Sequence, residues 1–187
     1  PALRQGGGGA VTRGNWDLED YRNLLAAVAA GGYRYAWFGD GPEPGQLFLR
    51  HDVDLTLDAA LRMAELEASL AVTATYFLMT ESVFYNLASS EGVEAVARLR
   101  ELGHRVGLHA VYPDARLDER FEPVVAWHNP EGDTSALDEA VEAAGFRSAY
   151  HHRWFAPDRY VSDSNGRHTA ASIASFALAA ATSVDHP

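Results

Sequence analysis

The chain has 187 residues, of which 47% are hydrophobic and 22% charged, so it is long enough for one domain and typical of a folded globular protein. Its 15 basic residues are all arginine and it has no cysteine, which excludes Schiff-base lysine chemistry, thiol nucleophiles, disulfides and cysteine-ligated zinc. The formal net charge of −11 disfavours nucleic acid as a partner, and no apolar run is long enough for membrane insertion.

Residues 1–14 are rich in glycine and predict a flexible lead-in, which is followed by a single domain over residues 15–187. The first residues lack the charged start and apolar middle of a signal peptide, which favours a cytoplasmic location. The sequence leaves the oligomeric state open.

Helices and strands alternate along this domain through short connections, which predicts an α/β fold with a mainly parallel sheet. The apolar periodicity does not decide whether this sheet closes into a barrel. The predicted helices begin at Asn15 (ending at Gly31), at Thr56 or Asp58 (ending at Leu70), and cover residues 91–102, 135–144 and 170–181. The predicted strands cover residues 47–49, 73–79, 105–108, 123–127, 146–150, 160–162 and 182–186.

Titratable side chains recur where these strands end, and in parallel α/β folds this edge of the sheet is where sites are built. The residues concerned are Asp52, Asp54, His109, His128, Asp163 and His186. We therefore expect the first four of them to lie on one rim of the sheet.

Asp52 and Asp54 are two positions apart in an extended segment, so their carboxylates point the same way and can share a cation. The alternative is that one of them caps the following helix. His109 and His128 would complete a set of two imidazoles and a carboxylate, which leaves zinc an open position for water. His104 lies at the opposite end of its strand from His109, which predicts a structural role for His104.

Three segments together resemble the polysaccharide deacetylases, carbohydrate esterase family 4. They are Arg50–Asp54 (RHDVD), Ala74–Met79 (ATYFLM) and Gly103–His109 (GHRVGLH). The HDVD sequence is similar to a subgroup linked to bacterial surface-glycan or sugar biosynthesis. The resemblance covers residues 47–187 and implies a distorted (β/α) barrel, possibly abbreviated, that binds one divalent metal and hydrolyses N-acetyl groups on sugars. Zinc is the first expectation, with cobalt, nickel or iron as alternatives.

By this resemblance, Asp52 is the catalytic base, while Asp54 and His109 are metal ligands. The family has a second metal histidine four residues after the first, where this chain has Pro113. We predict that His128 takes its place, with Asp114 as the second choice. The segment that contains His128 stands where the third motif of the family begins with arginine.

The resemblance also assigns residues closer to the carboxyl end of the chain. Asp163 matches the fourth motif, and His186 falls where the family has the histidine that acts as general acid. Arg50, Tyr112 and Asp163 are the predicted substrate-binding residues.

Three hypotheses about function follow. The first is a hydrolase acting on the carbon–nitrogen bond of an N-acetylated sugar or glycan, with a metal-bound water as nucleophile, Asp52 as base and His186 as acid. The second is a degenerate deacetylase fold that binds a glycan or a partner without turnover, suggested by the missing second histidine. The third is a metal phosphoesterase, for which Arg50 is the obvious phosphate contact.

Overall fold

The computed structural model describes residues 18–38, 43, 45–111, 119–128, 135–143, 145 and 147–148. These residues form four helices and seven strands, and every strand pair is parallel, which confirms the predicted α/β class. The helices are α1 (Leu18–Ala30), α2 (Leu57–Ser69), α3 (Ser90–Glu101) and α4 (Ser135–Ala143). The strands are β1 (Arg34–Ala36), β2 (Gln46–Phe48), β3 (Arg50–Val53), β4 (Thr75–Leu78), β5 (Arg105–Ala110), β6 (Val124–Trp127) and β7 (Arg147–Ser148).

The main sheet has five strands in the order β3-β4-β5-β6-β7, so each strand lies beside the next one along the chain. Because all five run in the same direction, their carboxyl ends meet at one edge, which we call the carboxyl edge. Strands β1 and β2 form a separate parallel pair. Within the described residues β3 and β7 end the row, so the barrel that the resemblance implies is not shown.

The predicted strand at residues 47–49 is confirmed as β2, but it is half-buried rather than fully buried, and it is not the strand that carries Asp52 and Asp54. The structure places Gln46–Phe48 in the two-stranded sheet and starts the strand of the main sheet at Arg50, inside the polar RHDVD segment. The polar residues of this strand are stable there because their side chains form hydrogen bonds and ion pairs. Arg50 pairs with Asp52 on one face, and His51 bonds the carboxylate of Glu67 on the other. Asp52 therefore lies within β3, and Asp54 comes directly after it.

Several other predicted elements lie outside the described residues. They are the lead-in at 1–14, the Asn15 cap, the strands at 160–162 and 182–186, and the helix at 170–181. Among the described helices, none combines the length and the apolar character that crossing a bilayer requires.

One face of the main sheet is covered by helices α2 and α3. Val53, Tyr76 and Leu108 point to this face and pack with Ala64 and Leu99 of the two helices in the larger apolar core. Alternate residues of each strand point away from it. Asp52, Phe77 and His109 belong to that second set, so the side chains of chemical interest lie on the face opposite α2 and α3.

Helix α2 begins and ends with recognisable caps. The Thr56 side chain accepts a hydrogen bond from the Ala59 N–H at 3.1 Å, which confirms Thr56 as the cap. Capping therefore does not account for Asp52 or Asp54. At the other end, the Val72 N–H donates to the Glu67 carbonyl at 3.0 Å and the chain turns through Ala71 at φ 57°.

The side chain of Glu67 is fully buried between α2, α1 and the sheet. Its carboxylate accepts hydrogen bonds from His51 Nε2 at 2.6 Å, from Tyr76 OH at 2.7 Å and from Tyr21 OH. Burial alone would raise the pKa of Glu67, but these bonds and the charge of His51 lower it below its ordinary value. The bonds join α1, β3 and β4 to α2 through one charged group.

His104 has the structural role that the sequence predicts. It lies just before β5, where its Nε2 donates to the Ala64 carbonyl at 3.0 Å and its Nδ1 accepts from the Ala74 N–H at 3.2 Å. Burial lowers the pKa of this imidazole, in agreement with a neutral ring that has both nitrogens occupied.

We expect Glu67→Gln to lower the free energy of unfolding by about 3 kcal/mol, because the amide removes the charge and leaves buried donors unsatisfied. Urea denaturation at pH 7 measures this loss. Glu65→Gln is the matched control, since Glu65 lies on the same helix in an exposed ion pair with Arg98. It should change stability by less than about 0.5 kcal/mol. Equal losses in the two variants would contradict the structural role of Glu67.

The stability that Glu67 provides should also depend on pH in one direction. Because its pKa is lowered in the folded state, its contribution is complete above the ordinary value of 4.5 and is lost as the pH falls through the lower folded value. The difference in stability between the wild type and Glu67→Gln should thus narrow as the pH falls below 4.5. Denaturant titrations from pH 3 to pH 7 test this; a gap that widens in acid would be incompatible with it.

Candidate metal centre

Three side chains from three different strands converge at the carboxyl edge. Asp54 directly follows β3, His109 lies in β5, and His128 directly follows β6. Two strands separate β3 from β6 in the sheet order, a span of about 14 Å in a flat sheet. The carboxylate of Asp54 nevertheless lies 3.2 Å from a ring nitrogen of His128, so the strand ends curve towards each other on this face.

The possible ligand atoms of these residues form a small triangle. Asp54 Oδ1 lies 3.2 Å from His109 Nε2 and 3.2 Å from His128 Nδ1, and the two ring nitrogens are 3.1 Å apart. In tetrahedral zinc sites with bonds of 2.0–2.1 Å, neighbouring ligand atoms are about 3.3 Å apart. The spacing and the donor set therefore fit a divalent ion, and these residues form a group that could hold a metal.

A hydrogen bond fixes which nitrogen of His109 is available. His109 Nδ1 lies 3.0 Å from the carbonyl oxygen of Ala126, and since a carbonyl only accepts, Nδ1 carries the proton. Burial lowers the pKa of His109 despite the opposing charge of Asp52, which favours the neutral ring. The lone pair on Nε2 then points towards Asp54 and His128, as in metal sites where a backbone carbonyl orients the ligand.

The carboxylate of Asp54 is placed in agreement with a ligand role. Its Oδ1 atom is buried and has no hydrogen-bond partner among the described residues. A buried carboxylate oxygen is costly unless a donor or a cation satisfies it. A cation shared with the two imidazoles would satisfy it.

Asp52 is next to this group but has a different partner. Arg50 Nε donates to Asp52 Oδ1 at 2.7 Å and Arg50 Nη2 donates to Oδ2 at 2.6 Å. Burial would raise the pKa of Asp52, but the bonds and charge of Arg50 lower it below its ordinary value. Asp52 Oδ2 is also 3.9 Å from His109 Nε2. Asp52 is therefore a partly exposed carboxylate beside the candidate ligands, held by an arginine rather than sharing their cation.

Phe77 and Gly107 support this pair from the neighbouring strands. The guanidinium of Arg50 lies 5.5 Å from the centre of the Phe77 ring, on which it packs. The ring occupies the space beside Gly107, where an added Cβ would come within 2.6 Å of it. A side chain at position 107 would therefore displace the Phe77 ring on which the Arg50 guanidinium packs.

The other predicted site residues lie outside the described residues. These are Tyr112, Asp163 and His186, together with Asp114, the second choice for the third ligand. Arg50, predicted as a substrate-binding residue, is described, and its bidentate bond to Asp52 uses two of its nitrogen atoms.

Sequence reasoning did not find the Arg50–Asp52 pair or the buried contacts of Glu67. The Arg50–Asp52 pair could have been recognised, because opposite charges two positions apart in a strand share one face. The burial of Glu67 could also have been recognised, since Glu67 lies between apolar residues of the segment Leu66–Leu70 on the buried side of a helix.

No protein family, curated protein or solved structure matches this chain.

We expect Asp54→Ala and His109→Ala each to weaken zinc binding by at least about 100-fold, because each removes one of three converging ligands. Isothermal titration with zinc measures the affinity, and thermal unfolding should show that the fold survives. Asp58→Ala is the matched control, since Asp58 is an exposed carboxylate in the first turn of α2. Stoichiometric zinc bound by His109→Ala with wild-type affinity would show that the ligand assignment is wrong.

Proposed function

We propose that this chain is a metal-dependent hydrolase that removes an N-acetyl group from a sugar or glycan. The observation that carries the proposal is the convergence of Asp54, His109 and His128 beside a second carboxylate, Asp52, that an arginine holds apart from them. The RHDVD and GHRVGLH segments resemble those of polysaccharide deacetylases, and this resemblance indicates the amide bond of an N-acetylated sugar as the bond that is cleaved.

Asp54, His109 and His128 would hold the ion, with zinc as the first expectation and cobalt, nickel or iron as alternatives. A divalent metal in such a site polarises a carbonyl group and lowers the pKa of a bound water molecule towards about 7. The hydrogen bond from His109 Nδ1 to the Ala126 carbonyl would keep the imidazole in the required orientation.

Asp52 would act as the general base. Its side chain is 30% exposed, so water can reach it, and it lies within 3.9 Å of one candidate ligand atom. Arg50 keeps the carboxylate ionised and fixes its orientation, so that it can accept a proton from a water molecule without binding the cation.

The remaining roles come from the resemblance alone. His186 would donate a proton to the leaving amine, and Tyr112 and Asp163 would contact the sugar. The distorted barrel belongs to the same proposal, and the curvature of the strand ends between β3 and β6 supports it.

One alternative is weakened by the described geometry. A phosphoesterase would use Arg50 to bind a phosphate oxygen, but its Nε and Nη2 atoms are engaged by Asp52. A degenerate deacetylase fold that binds a glycan without turnover would have the same metal ligands and would differ only in lacking hydrolytic activity.

Metal analysis combined with an acetate-release assay tests the proposal. The zinc-loaded chain is incubated with N-acetylglucosamine and its oligomers, and we expect stoichiometric metal and release of acetate that a chelator abolishes. A chain that binds zinc tightly but releases no acetate from any of these sugars would favour the binder, and a chain that binds no divalent metal would exclude the proposed mechanism.

We expect Asp52→Asn to retain zinc and to lose turnover by about 10²–10⁴-fold, because asparagine is nearly isosteric with aspartate but cannot accept a proton. Acetate release and zinc titration are measured on the same preparation, with Asp58→Asn as the control. A decrease of less than tenfold would leave Asp52 with a positioning role only. Loss of the metal together with the activity would instead make Asp52 a ligand.

A further inference from the structure

The hydroxyl group of Tyr85 bridges the ends of β3 and β4 at the carboxyl edge. It donates a hydrogen bond to the Val53 carbonyl at 2.6 Å and accepts one from the Met79 N–H at 2.8 Å. Val53 is the last residue of β3, and Met79 directly follows β4. Since Tyr85 itself belongs to the loop between β4 and α3, its side chain joins three segments of the chain at one point.

The Tyr85 hydroxyl lies where the next backbone hydrogen bond between these two strands is expected. The Thr75 N–H donates to the Leu49 carbonyl at 3.0 Å, and the bonds of a parallel pair recur at every second residue. The same alternation leads to the Met79 N–H as a donor and to the Val53 carbonyl as its acceptor. With the hydroxyl between them, two bonds span the gap instead of one. The strand ends are therefore held further apart than a direct bond would hold them, and both backbone groups keep a partner.

The Val53 carbonyl determines the direction in which the chain enters Asp54. Because the peptide unit is planar, the carbonyl oxygen of Val53 and the Cα atom of Asp54 lie in one plane. A hydrogen bond that holds this oxygen therefore also holds the plane from which the Asp54 side chain departs. Asp54 Oδ1 lies 3.2 Å from a ring nitrogen of His109 and 3.2 Å from one of His128. A rotation of the peptide plane would move the carboxylate away from both nitrogens.

The position of Tyr85 is itself fixed by its surroundings. Its ring is half-buried and packs against the larger apolar core. The chain that follows it lies against the first turn of α3, where an added Cβ on Gly92 would come within 2.6 Å of the Leu87 Cα atom. Burial raises the pKa of Tyr85 to about 12, and the charge of Asp54 contributes less in the same direction. The hydroxyl therefore keeps the proton that it donates to the Val53 carbonyl.

We infer that Tyr85 is a positioning residue for Asp54. Its hydroxyl holds the ends of β3 and β4 apart and orients the peptide between Val53 and Asp54, so that the Asp54 carboxylate reaches the two imidazoles. The inference rests on the metal centre of the proposed function and deepens it, because it assigns to that site a residue outside the ligand set. In this role Tyr85 acts through the backbone of Asp54 and is not itself a ligand.

The substitution Tyr85→Phe tests this role, because it removes the hydroxyl and keeps the ring in the core. We expect isothermal titration to show a zinc affinity about 10–100-fold below that of the wild type, which is the usual cost of losing a group that orients a metal ligand. The visible absorption spectrum of the cobalt-loaded variant should also differ from that of the cobalt-loaded wild type, since its bands depend on the coordination geometry. Neither measurement requires turnover.

Tyr35→Phe is the matched control. The Tyr35 hydroxyl also donates to a backbone carbonyl, that of Leu25 at 3.1 Å, but this bond joins the two-stranded sheet to α1. Each variant loses one bond of this kind, so the two metal-free chains should unfold at similarly lowered temperatures. Only Tyr85→Phe should change the zinc affinity and the cobalt spectrum. These two measurements thus separate a positioning role from a purely structural one.

Wild-type zinc affinity and an unchanged cobalt spectrum in Tyr85→Phe would overturn the inference, while metal-dependent acetate release by the wild type would leave the proposed function standing. An equal loss of zinc affinity in Tyr35→Phe would also overturn it, because the loss would then follow from stability alone. Zinc binding that depends on Tyr85 in a chain that releases no acetate would support the inference and contradict the proposed function. A wild-type chain that binds no zinc would overturn both.

Discussion

Parallel pairing of β3 through β6 is the constraint on which the candidate metal centre depends. Each of these strands pairs with its neighbour in the chain, so the residues that end β3, β5 and β6 meet at one edge. Parallel direction alone would leave Asp54 and His128 about 14 Å apart. The additional requirement is curvature towards the face opposite α2 and α3, and this brings the oxygen and nitrogen atoms to 3.2 Å.

The alternation of side chains along β3 separates structural from chemical roles. His51 points to the helix side and binds Glu67, while Arg50 and Asp52 point to the other side and bind each other. A buried carboxylate is costly unless it is fully bonded. Glu67 meets this condition with donors from α1, β3 and β4, and it anchors the strand that carries Asp52 to the helix layer.

The order of the elements and the residues that meet at the carboxyl edge could be predicted from the sequence, because they depend on local signals. Apolar runs, glycines and caps such as Thr56 mark the elements, and a parallel sheet then determines which ends coincide. The position of β3 could not be predicted in the same way. The apolar residues before RHDVD form a half-buried strand in a separate sheet. The RHDVD segment is instead stabilised in the main sheet by partners such as Glu67 that are distant in sequence. The pairing of Arg50 with Asp52 could be predicted only once these residues were placed in a strand, because positions i and i+2 share a face there.

Two carboxylates at positions i and i+2 would repel each other, and one of them would become protonated if they shared a dry site without a cation. In the structure the two carboxylates have different partners. Arg50 neutralises Asp52 within the strand, and Asp54 turns past the strand end towards the two imidazoles. This separation gives the two carboxylates different surroundings, in agreement with the proposed roles of Asp54 as a ligand and Asp52 as a proton acceptor. The position of Arg50 inside β3 has the same consequence, because its charge acts there on the proposed base, Asp52, without binding the candidate ligand atom of Asp54.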